Sequence, residues 1–313
     1  MNAAKSQRGL SGELNATCNV WKLKTREIKF GRLPVLMGII NVTPDSFSDG
    51  GQHAGIEGAV DHALRLAKEG AGILDIGGES TRPYSDPVSL DEELARTIPV
   101  IEKLVSRTDL PISIDTAKST VARAAIEAGA EIINDVTGLE GDPQMVDVAA
   151  ESGAGICMMH MQGTPQTMQD SPHYTDVVAE VFDYLRRRLD TLVAAGIDVQ
   201  RICLDPGIGF GKSQLHNLEL IAAAKRFHAL GRPVLVGHSR KGFIGKSIGD
   251  PAANREAGNL AVTLQLAQQG IQIVRLHEIE STMQAMNVFN STGGIDGQVG
   301  TLLPNASINK KKR

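Results

Sequence analysis

The chain predicts an α/β fold, a single-domain (β/α)8 TIM barrel, on three observations. A short apolar, β-branched run, a polar loop and an amphipathic helical stretch recur in that order between Val35 and about Phe289. The apolar runs are largely hydrophobic through their length, the mark of strands covered on both faces in a parallel sheet. Eight such units in about 255 residues match the number and length that a (β/α)8 barrel requires. An open doubly wound sheet is the competing architecture. It would place a Gly-rich dinucleotide loop after its first strand, and the first loop here begins Asn41-Val42-Thr43-Pro44-Asp45 instead.

In chain order, the expected strands are Val35–Ile40, Ile73–Ile76, Ile112–Ile114, Ile132–Asn134, Gly155–Met159, Ile202–Leu204, Val234–Val236 and Ile273–Leu276. The helical patterns between and after them are Ile56–Glu69, Leu90–Val105, Ser119–Ala128, Pro143–Glu151, Tyr174–Ala195, Asn217–Leu230, Ala252–Gln269 and Ile279 to about Phe289. Residues 1–16 are rich in Ser, Gly, Asn and Lys and are expected to be disordered. Residues 17–30 alternate weakly around Val20, Leu23, Ile28 and Phe30, as a hairpin covering one end of the domain would. The domain is accordingly drawn over 17–292, with a loose tail at 293–313.

Bulk properties exclude several functions. The 313 residues are 42% hydrophobic, enough for a large core. A net charge of -4 and 4% aromatic residues argue against nucleic acid as a partner. Cys18, Cys157 and Cys203 are isolated, with no zinc spacing, which suits a reducing, cytoplasmic setting. No apolar run approaches the roughly 20 residues of a membrane span, and the first 30 residues lack the apolar core of a secretory signal.

The chemistry collects at the ends of the strands. After the first strand, Asn41 to Gly51 carry an amide, two carboxylates, three hydroxyls and Phe47, far more than a connection needs. Later strands lead into Gly77-Gly78-Glu79-Ser80-Thr81-Arg82-Pro83, Asp115-Thr116, Asn134-Asp135, Met159-His160, Asp205 to Lys212, His238-Ser239-Arg240-Lys241 and Arg275-Leu276-His277. Barrel active sites lie at this rim. Simpler readings exist one by one: Asp115 as a helix N-cap, Asn134 and Asp135 as turn caps, His160 as a satisfied core histidine, and Lys212, Arg240 and Lys246 as solvated surface charges. Their coincidence at every strand end weakens those readings together. Asp205 can accept a bidentate pair from a guanidine-like edge, Asn134 can both donate and accept, and Lys241 can donate to a ring nitrogen. Arg82, Arg275 and His277 suit a phosphate-like anion, and Asn41 offers a hard oxygen for Mg²⁺. The residues point to a nitrogen-rich heterocycle carrying a diphosphate or similar anion.

The segments Met37 to Gly51, Gly77 to Pro83, Ile133-Asn134-Asp135-Val136, Met159 to Pro165, Leu204 to Lys212, Ser239-Arg240-Lys241 and Arg275-Leu276-His277 resemble, in order and spacing, those of the dihydropteroate synthase family of pterin-binding barrels. The resemblance covers about residues 30 to 290. It implies a homodimeric enzyme of folate biosynthesis and a sulfonamide target. Such an enzyme joins 4-aminobenzoate to a dihydropterin methyl diphosphate, with Mg²⁺, and releases pyrophosphate. On this chain it makes Asp115, Asn134, Asp205 and Lys241 the pterin-holding residues, with Met159 and Phe210 packing on the ring. Arg82, Arg275 and His277, with Asn41 and Mg²⁺, would hold the diphosphate. Phe47, Thr81, Pro83 and Lys241 would border the aminobenzoate. Asp115, Lys241, Arg275 and His277 would be the catalytic set. The loop from Asn41 to Gly51 would close over the site. Gly242 stands where many relatives have a Ser for the aminobenzoate carboxylate, so sulfonamide sensitivity is expected to differ. A methyltetrahydrofolate-dependent corrinoid methyltransferase would share the pterin contacts, but not the long first loop, Ser239-Arg240-Lys241 or Arg275-Leu276-His277. A non-catalytic barrel would be expected to have lost Asn41, Lys241, Arg275 or His277, and all are present.

Overall fold

The computed structural model describes residues 18–42, 51–80 and 85–299. The expectations for residues 1–16, the Asp45–Asp49 segment, Phe47, Thr81, Arg82, Pro83 and the last residues of the tail lie outside these. The described elements run in the order β1 (Val20–Lys22), β2 (Glu27–Lys29), β3 (Val35–Asn41), α1 (Gly51–Glu69), β4 (Ile73–Gly77), α2 (Leu90–Val105), β5 (Ile112–Asp115), α3 (Ser119–Ala128) and β6 (Ile132–Asp135). They continue with α4 (Met145–Ser152), β7 (Gly155–Met159), α5 (Val177–Ala194), β8 (Ile202–Asp205), α6 (Gln214–Ala222), β9 (Leu235–Gly237), α7 (Gly242–Ile248), α8 (Glu256–Gln268), β10 (Ile273–Leu276) and α9 (Glu280–Ser291). The strands from β3 to β10 form one parallel sheet in the order β8-β7-β6-β5-β4-β3-β10-β9. A parallel bridge from Leu204 to Val234 joins β8 to β9 and closes the sheet into the expected barrel.

Period-two alternation along these strands sorts the barrel interior into layers. Met37, Ile73, Ile132, Cys157, Cys203, Leu235 and Ile273 form one apolar cluster with Trp21 and Leu23 of the N-terminal hairpin. β1 and β2 pair antiparallel, Trp21 opposite Ile28, and the Trp21 Nε1 donates to the Arg201 carbonyl at 2.7 Å. The hairpin lies so close that a Cβ on Gly155 would stand 2.5 Å from Leu23 Cδ2. It seals the end of the barrel from which the strands start. Two residues further along the same inward rows come Asp75, Asn134, Met159, Asp205 and Arg275, so the interior turns polar toward the strand C-termini. The larger core lies outside the sheet, where Leu36, Leu74, Ile76, Ile114, Ile133 and Ile156 meet the helices.

The helices differ from expectation in several places, beginning with α1, which starts at Gly51 and not at Ile56. The span read as Asn217–Leu230 is α6 followed by a separate 3-10 helix, Ala224–Leu230. The span read as Ala252–Gln269 begins at Glu256. Ahead of it stands α7, which shows no helical pattern in sequence because Gly242, Gly245 and the capping Gly249 leave it short and poor in helix formers. After α9 the chain turns back, and Asp296 pairs with Arg32. Among the described residues no helix is long and apolar enough to cross a membrane.

Candidate active site

The unsealed end of the barrel opens into a cavity of about 1240 Å³ lined by Asn41, Asp115, Phe210, Lys241, Gly242, Arg275 and His277, among others. A cavity for one drug-sized ligand is roughly 300–1,000 Å³, so this one has room for two small substrates side by side.

Arg275, on β10, organises the floor. Its Nε donates to Asp75 Oδ2 at 2.6 Å and its Nη2 to Asp115 Oδ2 at 2.5 Å. Asp75 is fully buried and also accepts from Asn134 Nδ2 at 3.3 Å. Parallel pairing puts Asp115 beside Asn134, and Met159 beside Asp205, on neighbouring strands. Asp115 does not cap α3: the N-cap residue of that helix is Lys118, which makes no side-chain cap, and Asp142 Oδ2 accepts from the Ser119 N–H instead. Asp115 Oδ1 is buried with no hydrogen-bond partner. A buried acceptor without a donor is costly, and Asp115 is one of the residues that line the cavity.

Burial dominates the protonation of this cluster. It pushes the Asp115 carboxyl up to about 7, opposed by Arg275 and assisted by the neighbouring carboxylates of Asp75, Glu93 and Asp135. It also raises Asp205, whose Oδ1 accepts from the Gly207 N–H at 2.7 Å. Lys241 is driven down to about 7 by burial, against the pull of Asp205. Burial alone would lower Arg275, but Asp75 and Asp115 more than compensate and raise it, so it stays a cation.

The loop after β8 builds the opposite wall. A Cβ on Gly207 would lie 1.9 Å from the His160 carbonyl oxygen, and its φ is +70°, so only glycine lets the β7 and β8 loops touch there. Lys241 Nζ stands 4.4 Å over the Phe210 ring and donates to the Ile208 carbonyl. Lys212, expected at the surface, is 2% exposed. Its Nζ meets His160 Nδ1 at 2.9 Å, the His160 carbonyl at 3.3 Å and the Phe210 carbonyl at 2.8 Å. It fastens the two loops together, and burial lowers it far below an ordinary lysine. Arg240 and Lys246 are exposed as expected. His160 is the satisfied core histidine that was expected, and Asp135 caps a turn through the Thr137 N–H and hydroxyl.

The structure thus gathers Asn41, Asp115, Phe210, Lys241, Arg275 and His277 around one cavity. Asn134, Met159 and Asp205 are buried in the strands behind them. Sequence reading missed Asp75. A carboxylate inside the apolar run Ile73-Leu74-Asp75-Ile76 was the available signal, since it is tolerated there only with a partner. Among the described residues, no three His, Cys, Asp or Glu side chains converge as a metal cage. Asn41 lines the cavity and offers one hard oxygen, of the kind Mg²⁺ takes when it completes its shell with water and phosphate.

Residues 37–277 match the family of pterin binding enzymes, and the chain belongs to that family. Within it, the chain is 46% identical over 259 residues to the dihydropteroate synthase of Escherichia coli K12, covering 83% of this chain and 92% of that protein. Xanthomonas albilineans dihydropteroate synthase, solved with 4-aminobenzoic acid, superposes with a TM-score of 0.81 at 47% identity over 88% of this chain and 98% of that one. Yersinia pestis dihydropteroate synthase, solved with a sulfonamide drug, gives 0.82 at 41% identity, over 88% and 99% of the two chains.

Proposed function

We propose that the protein is a dihydropteroate synthase. It joins 4-aminobenzoate to (7,8-dihydropterin-6-yl)methyl diphosphate, giving 7,8-dihydropteroate and pyrophosphate. The observation that carries the reading is the Asp75–Arg275–Asp115 floor, in which Arg275 and Asp115 line a cavity large enough for two substrates and Asp115 keeps one carboxylate oxygen without a hydrogen-bond partner.

The pterin ring lies between Phe210 and Met159 and donates its N–H groups to Asp115 and Asp205, while Asn134 and Lys241 contact its carbonyl and ring nitrogens. The bond from the methylene carbon to the diphosphate oxygen breaks, and its electron pair leaves with the diphosphate. The positive charge spreads into the dihydropterin, where Asp115 and Asp205 stabilise it. Arg275 and His277 face the departing anion, and the two acids that hold Arg275 in place act before the reaction begins, so its alignment costs nothing at the transition state. Asn41 would hold Mg²⁺ beside the diphosphate; the bound ion adds positive charge there. The arylamine lone pair then forms the C–N bond, and one amine proton is lost to solvent. The amine is neutral near pH 7, so no strong general base is needed.

Arg82 would join the anion site, and Phe47, Thr81 and Pro83 would border the aminobenzoate, as the family resemblance implies. A cytoplasmic homodimer is part of the same reading, supported by the three free cysteines and by the resemblance. The test is direct. Purified protein with pterin diphosphate, 4-aminobenzoate and Mg²⁺ is expected to form 7,8-dihydropteroate by mass spectrometry. A protein that binds both substrates and forms none would remove the proposal.

A further inference from the structure

The residue before Lys241 has a strained backbone. Arg240 has φ 58°, in the left-handed region, which is uncommon and costly for a residue with a Cβ. Such a conformation persists where the surroundings impose it. Here the first turn of α8 does so. Arg240 donates its N–H to Asn259 Oδ1 at 3.1 Å, and its carbonyl accepts from Arg255 Nη1 at 2.6 Å. The peptide groups on both sides of the Arg240 Cα are thus held, each by one side chain, and the strained torsions lie between them. Arg255 is the N-cap residue of α8, and Asn259 follows one turn later, its N–H donating to the Arg255 carbonyl at 2.8 Å. Residues four apart on a helix share a face, so the two side chains act from one side.

The helix that carries this clamp is itself fixed. A carbonyl only accepts, so His238 Nε2 carries the proton that it donates to the Asn259 carbonyl at 3.1 Å; the Thr263 hydroxyl donates to the same oxygen at 2.9 Å. His238 directly follows β9, so strand and helix are tied where the loop begins. α8 also sits hard against α7: a Cβ on Gly258 would lie 2.4 Å from Ile244 Cγ2. Lys241 comes next in the chain as the N-cap residue of α7, with its Nζ over the Phe210 ring. We propose that Asn259 and Arg255 are positioning residues for Lys241: together they hold Arg240 left-handed, and that turn of the chain sends the Lys241 side chain to Phe210 and the pterin site. The Arg240 side chain is engaged elsewhere, its Nε donating to Glu278 Oε1 at 2.5 Å. A glycine at position 240 would take the same backbone without a clamp. The inference deepens the proposed function and rests on the assignment of Lys241 to the pterin.

The test is a double-mutant cycle in the full-length protein: Asn259→Ala alone, and Asn259→Ala together with Arg240→Gly. Without Arg240→Gly, loss of the clamp lets Arg240 leave the strained conformation, and the fraction of protein with Lys241 in place falls. The KM for the pterin diphosphate is expected to rise about five- to fiftyfold, while kcat keeps most of its value because saturating substrate draws the loop back. In the Arg240→Gly background, Asn259→Ala is expected to raise that KM less than about threefold. A general loss of packing would carry over undiminished to the glycine background. Arg255→Met, at a half-buried position, is taken through the same cycle and is expected to show the same pattern, so the outcome does not depend on the folding of Asn259→Ala. Amide exchange read by mass spectrometry reports the clamp without turnover: peptides spanning Arg240 are expected to exchange faster in Asn259→Ala than in wild type. No rise in KM, an equal rise in both backgrounds, or unaltered exchange around Arg240 would each overturn the inference. A wild-type protein that forms no dihydropteroate would remove the proposed function, while the exchange comparison would still decide whether α8 holds Arg240.

Discussion

Replacing Asp75 tests the floor of the site more sharply than replacing any residue that faces the cavity. Asp75 is fully buried and holds Arg275 Nε at 2.6 Å and Asn134 Nδ2 at 3.3 Å. Breaking a buried ion pair by deleting one partner costs about 3–5 kcal/mol. Arg275 keeps Asp115 at 2.5 Å, which pulls the cost in Asp75→Ala toward about 3 kcal/mol. Asn134 loses an acceptor in a buried setting, which adds about 1–3 kcal/mol. The expected total, about 4–6 kcal/mol, is a large part of the roughly 5–15 kcal/mol by which folded proteins are stable. With a urea m value of about 1–3 kcal/mol per molar, the midpoint moves down by more than about 1 M. Kinetics on the surviving folded fraction are expected to show a raised KM for the pterin diphosphate, because Arg275 is no longer aimed. Asp75→Asn, which keeps the volume, is expected to lose less stability and a similar share of activity. An Asp75→Ala protein within about 1 kcal/mol of wild type, with unchanged kinetics, would refute the view that this pair builds the floor.

Other expectations follow from the same geometry. A Cβ on Gly242 meets nothing within 4 Å, so Gly242→Ser is expected to leave urea stability unchanged while altering the aminobenzoate KM and sulfonamide inhibition; unchanged values for both would show that this position does not reach the carboxylate. Lys212→Met leaves His160 Nδ1 and the Phe210 and His160 carbonyls without their donor, each at about 1–3 kcal/mol before the gain from no longer burying an amine. A raised pterin KM is expected, and an unchanged one would mean that the loop holds Phe210 unaided. Asp115 has a folded pKa raised to about 7, above its unfolded value, so its contribution to stability is fully present below about pH 4 and is lost as pH rises through 7. Urea midpoints between pH 4 and 8 are expected to decline less steeply in Asp115→Asn than in wild type; parallel curves would show that Asp115 is already ionised at low pH.

The strands were legible because their runs are long, apolar and evenly spaced, and Gly155–Met159 and Ile273–Leu276 stand where they were read. The rim residues were legible for a related reason: a polar residue immediately after such a run has only the strand's end to occupy. Asp75 escaped because it sits within a run, where apolar neighbours mask it until Arg275, 200 positions later in the chain, is brought beside it. Lys212 escaped for the opposite reason. A lysine among glycines is ordinarily solvated, and only contact between the β7 and β8 loops buries it. α7 carries too few side chains to show a helical period, although Lys241 is its N-cap residue. The resemblance to dihydropteroate synthases supplied roles that residue types alone left open, such as the packing of Met159 and Phe210 on the ring and the border of the aminobenzoate site.

The measurement closest to the central claim is pyrophosphate release from the pterin diphosphate, with and without 4-aminobenzoate, for wild type and Asp115→Asn. Asp115 carries both the bond to Arg275 and the oxygen without a partner. Sustained release in the wild type that requires 4-aminobenzoate and matches dihydropteroate mole for mole is the predicted result, with kcat in Asp115→Asn down at least about a hundredfold, about 2.7 kcal/mol of transition-state stabilisation. Release indifferent to 4-aminobenzoate, or a wild-type rate in Asp115→Asn, would contradict the account.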